Sequence, residues 1–345
     1  MNAATTVLGT ETIVQDILAS IEREREREII ARRYGLFDRK ETLEQIGELL
    51  GITRERVRQL EKSVMTRLRS NATSLPHIAE IEATLLAAIE AAGQTARITA
   101  LGAELTAENT RTDQSRLAFL TELCPRISAI SEDDNFYQAA GNNSVHDEKA
   151  IKSEVAKLVS VIAKAGTPLE VKELSASAEM QSEIYTAALA TISKQLATLN
   201  GRWGLVKWPT VNPKNIRDKI YVILSENGKH MHFNEIAESI KASDFKRKDV
   251  TTQAIHNELI KDKRFVLIGR GIYALREWGY QKGTVADIIT EVLKEAGEPL
   301  HRDEIVKRVL KSRFVKETTI LLNLQSKPQF KRVAKATYEL ADQPL

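Results

Sequence analysis

Between Glu41 and Arg69 the apolar residues recur at steps of three and four in two short runs. Leu43, Ile46 and Leu50 form the first stripe, and Val57, Leu60, Val64 and Leu68 form the second. Thr42 with Gln45 has the spacing of a capping box, and Gly51-Ile52-Thr53 supplies a turn that ends on a new N-cap. The pattern predicts two capped amphipathic helices in a helix-turn-helix. On the second helix Glu55, Gln59, Lys62 and Thr66 lie opposite the apolar stripe, with Arg54 and Arg58 at its flanks. Arg54 is in the first turn, the part of a recognition helix that meets base edges in the major groove. Upstream, Glu22 to Glu28 alternates sign strictly, which predicts a solvated helix face.

Beyond the polar break at Ser70 to Ser74 the pattern repeats. Four apolar helices end near Gly93, Gly166, Gly228 and Gly297, and each is followed by a short extended piece, two further helices and a hairpin. The hairpins are ISEDDNFYQA, LNGRWGLVKW, FVLIGRGIYAL and FKRVAKATYEL. The period exceeds the roughly 20 to 50 residues of solenoid repeats and suits a small winged helix. The expected fold is mainly α: a helix-turn-helix domain at 1–71, then winged-helix domains at 72–145, 146–210, 211–280 and 281–345.

Charge divides these parts. From Thr53 to Arg69 six basic residues face two acids, a surplus suited to phosphate. Residues 71–150 hold five basic residues and twelve acids, which points that repeat toward protein rather than DNA. Residues 209–280 hold thirteen against nine and residues 281–345 twelve against nine, so the last two repeats are candidates for accessory DNA contact. In the third repeat the candidates are Lys246, Arg247 and Lys248, then Gln253 and Asn257 on the following helix, with Lys261, Lys263, Arg264 and Arg270 leading into the wing. In the fourth, Arg313, Lys316, Lys327, Lys331 and Arg332 sit equivalently.

The stretch REIIARRYGL followed by TLEQIGELLGITRERVRQLE resembles the fourth conserved region of housekeeping bacterial sigma factors, from about Ile21 to Arg69. The resemblance implies recognition of the upstream promoter hexamer. Arg54, Glu55 and Gln59 would touch bases, while Arg56, Arg58 and Lys62 would hold phosphates. The chemistry agrees, since Arg reads guanine, a carboxylate accepts from the cytosine amino group and Gln pairs with adenine. The helix from Ile21 to Tyr34 resembles the segment that docks on the β flap of RNA polymerase. A complete sigma factor also needs an aromatic-rich domain to capture the melted strand, and about twenty residues precede the match; initiation by this chain alone is therefore not expected. The last two repeats resemble the HARE-HTH winged-helix family, also found in the δ subunit of some bacterial RNA polymerases.

Chemistry of other kinds finds little footing. No phosphate loop with Lys-Ser/Thr occurs, and Gly269-Arg270-Gly271 between two isoleucines reads as a hairpin turn. His230 and His232 lack further ligands at a metal spacing. The single cysteine, Cys124, reads as a core residue. No apolar run approaches the roughly 18 residues of a membrane span, and the N-terminus does not resemble a signal peptide. The expectation is a cytoplasmic, non-enzymatic transcription factor without cofactor or metal. It would bind double-stranded DNA and RNA polymerase, not membrane. The alternative is an interaction protein that competes with sigma factors on the polymerase without reading sequence.

Overall fold

The structure, a computed structural model, describes residues 7–245, 247, 249–280 and 282–341. The chain divides into two compact units, Met1–Lys207 and Trp208–Leu345.

The first unit opens with helices α1 (Thr10–Ala19), α2 (Glu24–Tyr34), α3 (Leu43–Leu50) and α4 (Arg54–Ser70). Helix α1, for which the sequence pattern predicts no element, forms ahead of the charge-alternating run because Val14, Ile17 and Leu18 share one buried face. Helix α2 starts at Glu24, later than expected, since Arg23 is extended and caps it while Ile21 is buried in the preceding turn. Two repeats follow. The first comprises α5 (Ile78–Ala91), β1 (Thr95–Arg97), α6 (Ile98–Leu105), α7 (Arg111–Leu123), β2 (Ile127–Ile130) and β3 (Ala139–Asn142). The second comprises α8 (Glu148–Ala165), β4 (Leu169–Glu170), α9 (Val171–Ser177), α10 (Glu183–Ile192), β5 (Leu196–Leu199) and β6 (Arg202–Leu205).

The second unit contains two more runs of the same order. They are α11 (Ile216–Asn227), β7 (Met231–His232), α12 (Phe233–Ala242), α13 (Thr252–Lys261), β8 (Phe265–Gly269) and β9 (Ile272–Leu275), then α14 (Val285–Ala296), β10 (Leu300–His301), α15 (Arg302–Ser312), α16 (Glu317–Ser326), β11 (Phe330–Ala334) and β12 (Thr337–Leu340). In every repeat the three strands form one antiparallel sheet with the last strand in the middle, as in β1-β3-β2. The short first strand thus closes onto the hairpin, and in the last repeat α14, α15, α16 and the hairpin enclose a core of their own.

The largest core in the first unit ignores the polar break at Ser70. Ile17 of α1, Ile30 of α2, and Val64, Met65 and Leu68 of α4 pack in one cluster with Leu85 of α5 and Leu117, Phe119 and Leu120 of α7. Polar contacts reinforce it. The Tyr34 hydroxyl donates to Glu122 at 2.9 Å, and Arg69 donates to the same carboxylate at 2.6 Å. Arg116, nearly buried, donates to the carbonyl of Leu36 at 2.7 Å and pairs with Glu11. Burial and the Glu122 charge push the Tyr34 phenol well above its usual range, so this hydroxyl remains a donor.

The third helix of the repeats separates them. Helices α7 and α10 are buried along most of their length, α7 against α1, α2 and α4, and α10 against β1. Helix α13 buries only Ile255 and Leu259, and α16 only Ile320 and Leu324. No helix among the described residues is long and apolar enough to cross a membrane.

Candidate nucleic-acid interface

Helices α3 and α4 are local products of their sequence. Thr42 accepts from the Gln45 backbone N–H while the Gln45 side chain accepts from Thr42 N–H, the reciprocal capping box. Thr53 caps α4 by accepting from Arg56 N–H at 3.2 Å. The turn between them needs Gly51 in the left-handed region, at φ 64°. It also needs Gly47, because a Cβ there would stand 2.7 Å from the Ile52 carbonyl oxygen. Ile29, Ile46 and Val57 are fully buried and form a small core of their own, with Leu43, Leu50, Ile52 and Leu60 partly buried around it. That core sets the angle between α3 and α4.

Burial of Val57, Val64 and Leu68 turns the opposite face outward. Arg54, Glu55, Arg56, Arg58, Gln59 and Lys62 are all exposed, on one helix and within three turns. In the free protein they bind one another. Arg58 donates twice to the Glu55 carboxylate, at 2.9 and 2.7 Å, and Gln59 donates to it at 3.4 Å. Arg56 donates to the Gln59 side-chain oxygen at 3.3 Å, and Arg54 lies 3.6 Å from Glu44. The hydrogen bond from Arg58, then its charge, holds the Glu55 carboxyl below the usual carboxylate range. Glu55 is therefore an acceptor at any pH near neutral. Exposed pairs of this kind contribute little stability, so replacing them with contacts to bases and phosphates costs little.

The cationic surplus on α4 is smaller than the residue count implies. Arg67 donates to Glu26 at 2.6 Å and Arg69 is bound by Glu122. Glu26 is the exception in the alternating run read as a solvated face: it is buried and ion-paired with both Arg23 and Arg67. The strict alternation of sign carries no signal for this, since only tertiary packing distinguishes one glutamate from its neighbours. Glu122 and Arg116 are likewise structural residues that no local pattern marks.

In the second unit, Arg247 is exposed with φ 56°, and its carbonyl accepts from the buried Lys219 ammonium at 2.7 Å. Lys246 and Lys248 lie outside the described residues. Gln253 and Asn257 are exposed on α13 and joined by a 3.1 Å hydrogen bond. Arg270 is exposed at the tip of the β8-β9 hairpin. Two further arginines expected to face DNA are occupied. Arg264 is held by Asp262 and Asp218, and Arg313 donates to the Leu267 carbonyl at 3.0 Å. His232 is the N-cap of α12, accepting from Asn234 N–H at 3.3 Å. Among the described residues no group of three or more His, Cys, Asp or Glu could hold a metal ion. Burial pushes the Cys124 thiol up to about 12, which leaves it a packed apolar side chain.

The family model "Sigma-70, region 4" matches residues 23–70. The RNA polymerase sigma factor RpoD of Helicobacter pylori is 47% identical over 64 residues, 16% of this chain and 10% of that protein. SigA1 of Synechococcus elongatus is 52% identical over 46 residues, and SigA of a Nostoc species is 50% identical over the same length. Each of these two matches covers 13% of this chain and 12% of the relative. The matched stretch thus spans about a tenth of the sigma factors it resembles, and it coincides with α2, α3 and α4. That stretch of the chain is homologous to sigma factor region 4.

Proposed function

We propose that this chain is a sequence-specific DNA-binding transcription factor that works with bacterial RNA polymerase, reading a promoter element through α4. The observation that carries the reading is the outward face of α4. Its six candidate residues are all exposed, on a helix whose rear is anchored in two cores and whose sequence matches the sigma region 4 model. In this reading Arg54, Glu55 and Gln59 contact base edges, and Arg56, Arg58 and Lys62 hold phosphates. The helix–strand–helix–helix–hairpin order of the four repeats supports their assignment as winged helices, the last two of the HARE-HTH kind. The buried third helices of the first two suit a scaffolding role, and the exposed ones of the last two suit contact with a partner.

Binding-site selection with the full chain tests the proposal. Arg54→Ala and Gln59→Ala are each expected to cost about 1–3 kcal/mol and to relax specificity at one base, whereas Lys62→Ala weakens all sequences alike. Equal, sequence-blind losses from all three would instead favour a protein that occupies RNA polymerase and competes with sigma factors without reading DNA. Binding of the full chain to core RNA polymerase in the absence of DNA checks the polymerase half of the proposal. No retention there would remove it.

A further inference from the structure

The second unit carries two hairpins of the same design in opposite surroundings. Strands β8 and β11 each begin on a buried phenylalanine, Phe265 and Phe330. Each breaks register at the equivalent place, between Leu267 and Gly269 in one and between Arg332 and Ala334 in the other. Both are edge strands of their three-stranded sheets.

The β8 hairpin is covered along its outer edge, with Leu267 and the tip residue Arg270 still exposed. Phe314 N–H donates to the Ile268 carbonyl at 3.2 Å and Arg313 to the Leu267 carbonyl, so the turn between α15 and α16 covers its outer edge. Val266 and Ile268 are buried, with Trp278 and Tyr280 packed against them. At its root Arg264 is neutralised by two aspartates.

The β11 hairpin is bare. Past Phe330, the residues Lys331, Arg332, Val333, Ala334 and Lys335 are all exposed. Among the described residues no other repeat donates a hydrogen bond to its outer edge. Between Lys327 and Tyr338 the sequence has four cations and no acid, and the first acid after them, Glu339, lies 3.6 Å from Lys331. Charged side chains along an edge, lysine above all, discourage a further strand from pairing there. A phosphate backbone needs the opposite of a paired strand: it has only acceptors and negative charge to offer, and this edge presents clustered cationic donors.

We propose that the β11-β12 hairpin is a second DNA contact of the chain, a phosphate-binding surface for double-stranded DNA of any sequence, and that the β8-β9 hairpin is a joint between repeats. The proposal rests on the DNA-binding reading of the chain and assigns its non-specific part to one hairpin. Charge complementarity selects the occupant.

The test uses the full chain and a duplex of scrambled sequence, with affinity measured across a salt series. A variant combining Lys331→Ala, Arg332→Ala and Lys335→Ala is expected to lower the slope of log affinity against log salt by about 2–3 units, at about 0.9 per lost phosphate contact. The comparison variant, Lys263→Ala with Arg270→Ala, is expected to lower it by less than about one unit. An unchanged slope in the triple variant with its thermal transition retained overturns the proposal, and so does an equal drop in the comparison variant. Sequence preference, measured in parallel on a selected site, should survive in the triple variant and fall in Arg54→Ala. Loss of preference in neither variant would count against the α4 reading and leave the hairpin result standing.

Discussion

Phe119→Ala is expected to destabilise the first unit by about 3–5 kcal/mol, the cost of truncating a fully buried aromatic when the cavity cannot collapse. Phe119 is 0% exposed and meets the edge of the Tyr34 ring at a centroid distance of 5.1 Å. It touches none of the proposed DNA contacts. Yet it sits in the cluster that also buries Val64, Met65 and Leu68, the rear of α4. With total stabilities of about 5–15 kcal/mol for a typical domain, a loss of this size populates unfolded protein near physiological temperature. Calorimetry should therefore show one transition of the first unit moved down by many degrees, with DNA affinity lost at the same temperature. If DNA binding outlasted that transition, the two segments would be independent, and the shared core would not be what holds α4.

Ile46→Ala is the second large effect, with a different signature. Ile46 belongs to the small cluster with Ile29 and Val57, and its truncation is expected to cost about 2–5 kcal/mol. The cluster has only three fully buried members, so the loss falls on the α3-α4 angle and not on the main core. The expected result is a large drop in DNA affinity while the main transition, carried by the Phe119 cluster, moves little. Hydrogen exchange would locate the opening in α3 and the turn after it. A uniform loss of protection across α5 and α7 would contradict the separation of the two cores.

What the sequence makes legible is the local part. The capping box at Thr42, the N-cap at Thr53 and the apolar stripe of α4 depend on neighbours within one or two turns, and the structure has each of them. The order of elements in the repeats was similarly readable, because each hairpin and helix carries its own periodicity. Long-range partners were not. Arg67, Arg264 and Arg313 look in the sequence like Arg54 and Arg270, and only the approach of Glu26, of Asp218 and Asp262, and of the Leu267 carbonyl separates cations engaged by distant parts of the fold from Arg270 and from Arg54, whose partner Glu44 is itself exposed. Helix α1 was missed for a related reason: its three buried apolar residues make a stripe too short to stand out until α7 is there to receive it.

The attachment of Tyr34 and Arg69 to one carboxylate, Glu122, bears on how such a reader can be transplanted. A gene fusion that copied only the homologous stretch, residues 23–70, would uncover Ile30, Leu36, Val64, Met65 and Leu68 and leave two polar anchors without their partner. Such a graft would present a sticky apolar surface and aggregate, whatever the quality of its DNA-facing side. The portable cassette is therefore longer than the region of homology: it must start ahead of α1 and run through β3, so that the donor brings its own packing along with its specificity.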